Sequence, residues 1–315
     1  MDPMVITVSA PATIANLGPG YDLMGLALDR PRDTLKVRLF KGNSDSVEVT
    51  GVGAGTISTS PERNSSVVAG RAVLKAAGKK EYALDMKLKK GVPPRMGMGS
   101  SGASSAAGAY AVNVLLGSTL NREEVLRCAM EGERAACGAA HADNVAPALF
   151  GGVTLILGFD PMRVVRFDPL KDVEIVVISP EVEIGDEKTR LAREVLPASV
   201  PLPRVINQMD GFANLLIGLV KKDPEVMGRG ISSDVIIEPT RAKLIPGFDH
   251  LKRAALEAGA YGFSISGAGP SVFALCPMKR GAEVGRAVKS KFAEHGVGSE
   301  YAIYMCGEEG ASVVP

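Results

Sequence analysis

Hydrophobic and polar positions recur along the chain with two different periods. From Thr34 to Phe40, Leu35, Val37 and Leu39 alternate with Lys36 and Arg38, the pattern of a half-exposed strand. The alternation returns from Tyr82 to Lys89, where Leu84, Met86 and Leu88 oppose Asp85, Lys87 and Lys89. Val67 to Ala77 reads instead as a helix ended by Gly78. Ser100 to Leu116 consists almost wholly of Ser, Ala, Gly and aliphatic residues. That stretch is too long for one strand and too small-residued for a surface helix, so it predicts a buried helix packed closely on a sheet. Asn121 with Glu124 three positions on forms a capping box, which starts another helix. Further strands are predicted at Val153 to Leu157, Glu174 to Ser179, Tyr261 to Ser266 and Ser271 to Cys276. Helices are predicted at Pro203 to Lys222, Pro246 to Ala258 and Arg280 to Glu294. The two kinds of element interleave from end to end, so the class is mixed α and β.

Pro161, Pro169 and Pro180 punctuate the middle of the chain and predict a boundary near residue 160, giving domains over 1–160 and 161–315. Two cores suit 315 residues, because single domains run to roughly 100–200. Hydrophobic residues at 46% and charged residues at 23% exclude a disordered chain. With 36 Lys plus Arg against 35 Asp plus Glu, no global field draws nucleic acid or anionic lipid. Neither partner is expected, although a local anion site is compatible with this balance. The four cysteines show neither CxxC spacing nor disulfide density, and are expected to be buried free thiols in a reducing cytoplasm. Met1 is followed by Asp2 and Pro3 rather than a basic segment leading into an apolar run, so a secretory signal is not expected. Membrane spans need about 18–20 uninterrupted apolar residues, and no stretch reaches that. A cytoplasmic protein is the expectation.

The segment with the most chemistry is Pro93-Pro-Arg-Met-Gly-Met-Gly-Ser-Ser-Gly-Ala-Ser-Ser105, between a predicted strand and the buried small-residue helix. Gly97 and Gly99 let the backbone adopt conformations closed to other residues and let anion oxygens approach the amides. The following helix aims its unpaired amides and positive dipole end at the same place. Ser100, Ser101, Ser104 and Ser105 add hydroxyls that can donate to phosphate or ligate Mg²⁺. No Lys follows either glycine, so this is not a Walker loop.

On the helix starting at Asn121, residues Leu126, Ala129, Met130, Glu133 and Cys137 share one face, and Glu133 is its only charge. Glu124, Arg127, Glu131 and Arg134 lie opposite, at spacings suited to exposed ion pairs. A carboxylate directed into an apolar layer must be neutralised, paired with a cation or bound to metal. A buried salt bridge is one reading. The other is Mg²⁺ on nucleotide phosphates, shared with Ser101, since magnesium takes one or two protein oxygens and completes its shell with phosphate and water.

These residues resemble a known family. Pro93 to Ser105 is similar to the phosphate motif of the GHMP kinases, and His141-Ala-Asp-Asn-Val-Ala-Pro-Ala-Leu-Phe-Gly-Gly152 resembles the HPDNVAPALLGG signature of the homoserine kinases among them. Pro11 to Asp22 and Ser264 to Ser271 resemble that family's first and third motifs, so the likeness spans the chain. Arg95 stands where the family often has Gly, Gly102 where it usually has Ala, and Ala142 where it usually has Pro. The resemblance implies an α+β fold of two domains, an amino-terminal one like ribosomal protein S5 domain 2 and a ferredoxin-like carboxy-terminal one. It also implies ATP and Mg²⁺ as cofactors, phosphorylation of L-homoserine toward threonine, and a homodimer.

By the same resemblance, the ATP cradle comprises Asn64 on the adenine side with Pro94, Arg95, Met96, Gly97, Met98, Gly99, Ser100, Ser101, Gly102, Ala103 and Ser104. Ser101 and Glu133 are implied to hold Mg²⁺. Asn16 and Asp22 suit the ammonium and hydroxyl end of the acceptor, with His141 and Asp143 bordering the pocket. Arg193 and Arg241 match carboxylate-binding arginines, whose planar fork suits a carboxylate, and Thr189 matches a further site residue. Another small hydroxylated acceptor, shikimate or mevalonate, and a catalytically silent ligand-binding relative are the alternatives. Whether a side chain serves as general base is left open.

Overall fold

A computed structural model describes residues 4–182 and 188–315, apart from the side chains of Cys137, Phe159 and residues 188–190. The first domain begins with β1 (Met4–Ala15), β2 (Met24–Lys41), β3 (Ser46–Gly51), helix α1 (Ser65–Ala76) and β4 (Tyr82–Lys90). β1, β2 and β4 pair antiparallel in that order, and β3 joins β4 in parallel. The predicted alternation holds in β2, where Leu35, Val37 and Leu39 are buried and Lys36 and Arg38 exposed. Three helices follow, α2 (Ser100–Leu115), α3 (Arg122–Cys137) and α4 (Ala142–Phe150), then the hairpin β5 (Val153–Phe159) and β6 (Met162–Phe167).

Small residues in α2 serve close helix crossing. A Cβ on Gly108 would stand 2.1 Å from the Ser66 carbonyl oxygen of α1, and one on Gly132 of α3 would stand 2.3 Å from that of Ser65. α3 opens with the expected capping box, Asn121 accepting from the Glu124 amide while the Glu124 side chain accepts from the Asn121 amide.

The second domain contains β7 (Val173–Pro180), α5 (Lys188–Glu194), α6 (Leu202–Lys221), α7 (Pro224–Ile231), the short α8 (Glu238–Arg241), α9 (Phe248–Glu257), β8 (Gly262–Ile265), β9 (Val272–Pro277), α10 (Gly281–Glu294) and β10 (Ser299–Tyr304). Its sheet is antiparallel in the order β10-β7-β9-β8. Ile175 and Val177 of β7 join the core that includes α6, α7 and the first domain, while Val176 and Ile178 join a second core with α9 and α10. This is the two-domain α+β architecture expected.

The boundary at residue 160 does not hold as drawn. β6 pairs with β5 inside the first sheet, because Pro161 only turns that hairpin, with Phe159 opposite Met162. The terminal strand β11 (Ser312–Val313) returns to β1, so the chain's end also belongs to the first sheet. Among the described residues Cys128 and Cys276 are buried free thiols and Cys306 is a half-buried one. No described helix is long and apolar enough to cross a membrane.

Candidate active site

The glycine loop between β4 and α2 is clamped from two sides. The Thr13 amide of β1 donates to the Met98 carbonyl at 3.0 Å, and the Ser266 hydroxyl, from the turn between β8 and β9, donates to the Gly97 carbonyl at 2.7 Å. Gly97 and Gly99 both have positive φ, 74° and 65°. A Cβ on Gly97 would meet the Ser266 carbonyl oxygen at 2.3 Å, and one on Gly99 would meet Thr13 Oγ1 at 1.9 Å. Backbone conformation and space thus both demand glycine. Gly99 is the N-cap of α2 and offers no side-chain cap, so the first-turn amides remain for a ligand.

This loop forms one wall of a cleft of about 770 Å³. Pro94, Arg95, Gly97, Met98, Gly99, Ser100, Ser101 and Ser104 line it, while Met96, Gly102 and Ala103 lie outside its lining. The serines divide by role, which their sequence does not reveal. Ser100 Oγ donates to the Val92 carbonyl and Ser104 Oγ to Asp33, so both hydroxyls are spent inside the protein. Ser105 is fully buried, against Gly132 of α3, and does not line the cleft. Ser101 is half-buried and faces it.

Thr56, Ile57, Ser58, Arg63 and Ser65 also line the cleft. Asn64 is not part of that lining. It is 1% exposed and caps α1, accepting from the Ser66 amide and donating to the Ser58 carbonyl, and so shapes this wall from behind.

Glu133 is 5% exposed and lines the cleft, whereas Glu131 is exposed and pairs with Arg134 at 3.4 Å. The helix-face reading therefore separated the two carboxylates correctly. Ser101 and Glu133 offer hard oxygen donors on the wall that carries the anion loop, a donor set that fits Mg²⁺.

A second polar group lines the same cleft. Arg193 on α5 donates through one guanidinium nitrogen to both Asp22 oxygens, at 3.1 and 3.3 Å, and to His141 Nδ1 at 2.8 Å. A guanidinium nitrogen can only donate, so His141 Nδ1 accepts in the 2.8 Å contact with Arg193, and Nδ1 lies 3.7 Å from Asp22. Burial raises the Asp22 pKa, but His141 and the charges of Arg193 and Arg241 outweigh it and hold the carboxyl below its usual range. Asp143, beside them at the start of α4, is 4% exposed and pushed up to about 7, first by burial and then by Asp22. His141 Nε2 and Asp143 Oδ1 are buried and have no hydrogen-bond partner within the protein. These atoms remain for a ligand. Asp22, His141 and Asp143 bring ligand atoms within 4.8 Å of one another, yet the Arg193 guanidinium already supplies the cation there.

Asn16 lines the cleft, but both ends of its amide are used. Its nitrogen donates to the Gly267 carbonyl and its oxygen accepts from the Asp22 amide. It holds the first-motif turn, where Asn16 and Asp22 both have positive φ, 75° and 56°. Arg241 is 4% exposed, donating to the carbonyls of Ala192 at 2.9 Å and Gly267 at 3.1 Å. Its guanidinium stacks 5.0 Å from the centre of the Tyr21 ring, a cleft residue inside the first motif that the sequence reading passed over. The Thr189 side chain lies outside the described residues.

A glycine-rich anion loop and a cluster of charged side chains share one cleft, an arrangement suited to phosphotransfer. The comparisons agree: the GHMP kinases N terminal domain matches residues 65–152 and the GHMP kinases C terminal domain residues 215–294. A homoserine kinase of Thermococcus gammatolerans is 44% identical over 294 residues, 93% of this chain and 94% of that one. One of Pyrococcus abyssi is 40% identical over 300 residues, 95% and 97% of the two chains. The crystal structure of homoserine kinase from Cytophaga hutchinsonii superposes with a TM-score of 0.89 at 38% identity, covering 98% of this chain and 97% of that chain. The chain belongs to the homoserine kinase family of the GHMP kinases.

Proposed function

We propose that the protein transfers the γ-phosphoryl group of ATP to the side-chain hydroxyl of L-homoserine, giving O-phospho-L-homoserine on the route to threonine. The observation that carries this reading is the pairing, across one cleft, of the glycine loop with the group Asp22, His141, Asp143, Arg193 and Arg241. Phosphoryl transfer demands little covalent work from protein, so positioning and charge stabilisation supply most of the rate. Amides of the loop and of the first turn of α2 receive the phosphates. Ser101 and Glu133 would hold Mg²⁺, which when bound would neutralise charge on the phosphates.

Homoserine carries an ammonium, a carboxylate and a hydroxyl. The carboxylates of Asp22 and Asp143 suit the ammonium, and the two arginines suit the carboxylate. Mevalonate and shikimate have no ammonium, so a pocket with two carboxylates favours homoserine over either. A coupled assay of ADP release over homoserine, mevalonate, shikimate and galactose tests the reading. Preference for any acceptor but homoserine refutes it.

A homodimer is part of the proposal. Leu202, Ile206, Met209, Ile217 and Val220 make an exposed apolar stripe along α6, a face suited to a second copy. The site of action proposed is the cytoplasm.

A further inference from the structure

Two buried charges lie beneath the glycine loop, and the mechanism above does not use them. Lys90, the last residue of β4, is 2% exposed, and Asp33 of β2 is fully buried. Strand register brings them together: Thr34 opposes Lys89, so Asp33 and Lys90 occupy the next rung. Lys90 Nζ donates to Asp33 Oδ2, to the Ser100 carbonyl at 2.9 Å and to Ser104 Oγ at 2.9 Å. Asp33 Oδ1 accepts from the amides of Gly91 and Val92, both at 3.0 Å, and Oδ2 also accepts from Ser104 Oγ at 2.8 Å.

These contacts reach both ends of the loop. Asp33 holds Gly91 and Val92, where the chain leaves β4, and Lys90 holds Ser100, where it enters α2. The Ser100 hydroxyl closes the ring on the Val92 carbonyl at 3.0 Å. Residues 93–99 therefore span two ends that one ion pair ties together. Lys90 lines the cleft, yet all three of its N–H donors are already spent on Asp33, Ser100 and Ser104. Burial lowers its pKa, while Asp33 and Glu133 work in the opposite direction.

We propose that the Asp33 and Lys90 pair is a positioning clasp that fixes the two ends of the nucleotide loop and so sets its affinity for ATP. The proposal rests on the loop receiving ATP phosphates. An apolar core would satisfy the fold at lower desolvation cost, since replacing a buried ion pair by packed hydrophobic residues is often neutral for stability. A pair kept for positioning and a pair kept for stability therefore behave differently when both charges are removed together.

The test compares Lys90→Met, Asp33→Leu, the double variant, Ser104→Ala and Gly99→Ala, each by ligand-free melting temperature, ATP binding by calorimetric titration, and KM for homoserine. Each single charge removal leaves its partner buried and unpaired, and lowers the melting temperature by roughly 10 °C. The double variant recovers most of that loss, yet binds ATP at least about 10-fold more weakly, with the homoserine KM within about 2-fold of wild type. A folded double variant with wild-type ATP affinity overturns the proposal. Should the double variant fail to fold, Ser104→Ala decides, because it removes the bridging hydroxyl and no charge. An ATP affinity about 3- to 10-fold weaker supports the clasp, and an unchanged one overturns it. The Gly99→Ala arm tests the underlying reading separately: undiminished ATP binding there removes the phosphates from this loop, whatever the pair does.

Discussion

The two arginines of the acceptor pocket are held so differently that their removal separates stability from recognition. The Arg193 side chain is 40% exposed and bonded to a 38% exposed Asp22, so truncation to Leu costs about 0–1 kcal/mol of stability. Arg241 is 4% exposed and bonded to two backbone carbonyls. After Arg241→Leu, the Gly267 carbonyl keeps its donor from Asn16, but that of Ala192 loses this one. An orphaned buried acceptor costs about 1–3 kcal/mol, and losing the stack on Tyr21 costs roughly 0.5–1 kcal/mol more. The sum, about 1.5–4 kcal/mol, lowers the melting temperature by roughly 3–15 °C in a domain of this size. In the proposed carboxylate role, each variant loses charge-assisted bonds of about 1.5–3 kcal/mol to the substrate, a 10- to 100-fold rise in homoserine KM with ATP KM little changed. Scanning calorimetry with steady-state kinetics reads both quantities. A homoserine analogue with a neutral group in place of the carboxylate sharpens the result, because wild type rejects it and Arg193→Leu discriminates much less. Equal melting-temperature losses in the two variants, or undiminished discrimination in both, refute the reasoning.

Other outcomes follow from the same geometry. With Glu133 as the proposed ligand of Mg²⁺, Glu133→Gln lowers turnover roughly 100-fold or more, whereas Glu131→Gln, on the exposed face, leaves it within about 2-fold; matching rates in two equally folded variants count against the metal site. Asp143 has a folded pKa near 7 against 3.8 in its ordinary state, so the native protein holds this proton more tightly and stability falls as pH rises from about 4 to 7. Asn does not titrate, so the melting-temperature gain of Asp143→Asn over wild type grows across that window and levels off above it; a gain independent of pH contradicts the burial argument.

Much of this site was legible because burial obeys simple periodicity. The stripe on α3 singled out Glu133 and left Glu131 in solvent, as the structure has them. The same parity argument carried one residue further finds the clasp. Asp33 shares the face of Leu35, Val37 and Leu39, and Lys90 that of Leu84, Met86 and Leu88, but the strands were read from Thr34 and up to Lys89. What stayed hidden depends on contacts far apart in sequence. The hydroxyls of Ser100 and Ser104 turn inward because Val92 and Asp33 meet them there, and no local pattern separates them from Ser101. Asn16 supports a turn through Gly267, 251 residues away, so a polar residue of the first motif looked like a ligand contact. The return of β11 to β1 is likewise invisible in a two-residue strand.

The proposed activity rests on direct transfer within one cleft, from ATP on the glycine loop to an amino acid proposed to be held by the arginines. Phosphorus NMR of the protein with Mg-ATP and L-homoserine tests it most directly. The expected result is a new phosphomonoester resonance, that of O-phospho-L-homoserine, growing in step with ADP and absent when Mg²⁺ is chelated. ADP accompanied only by inorganic phosphate, or a phosphomonoester that forms from mevalonate and not from homoserine, contradicts it.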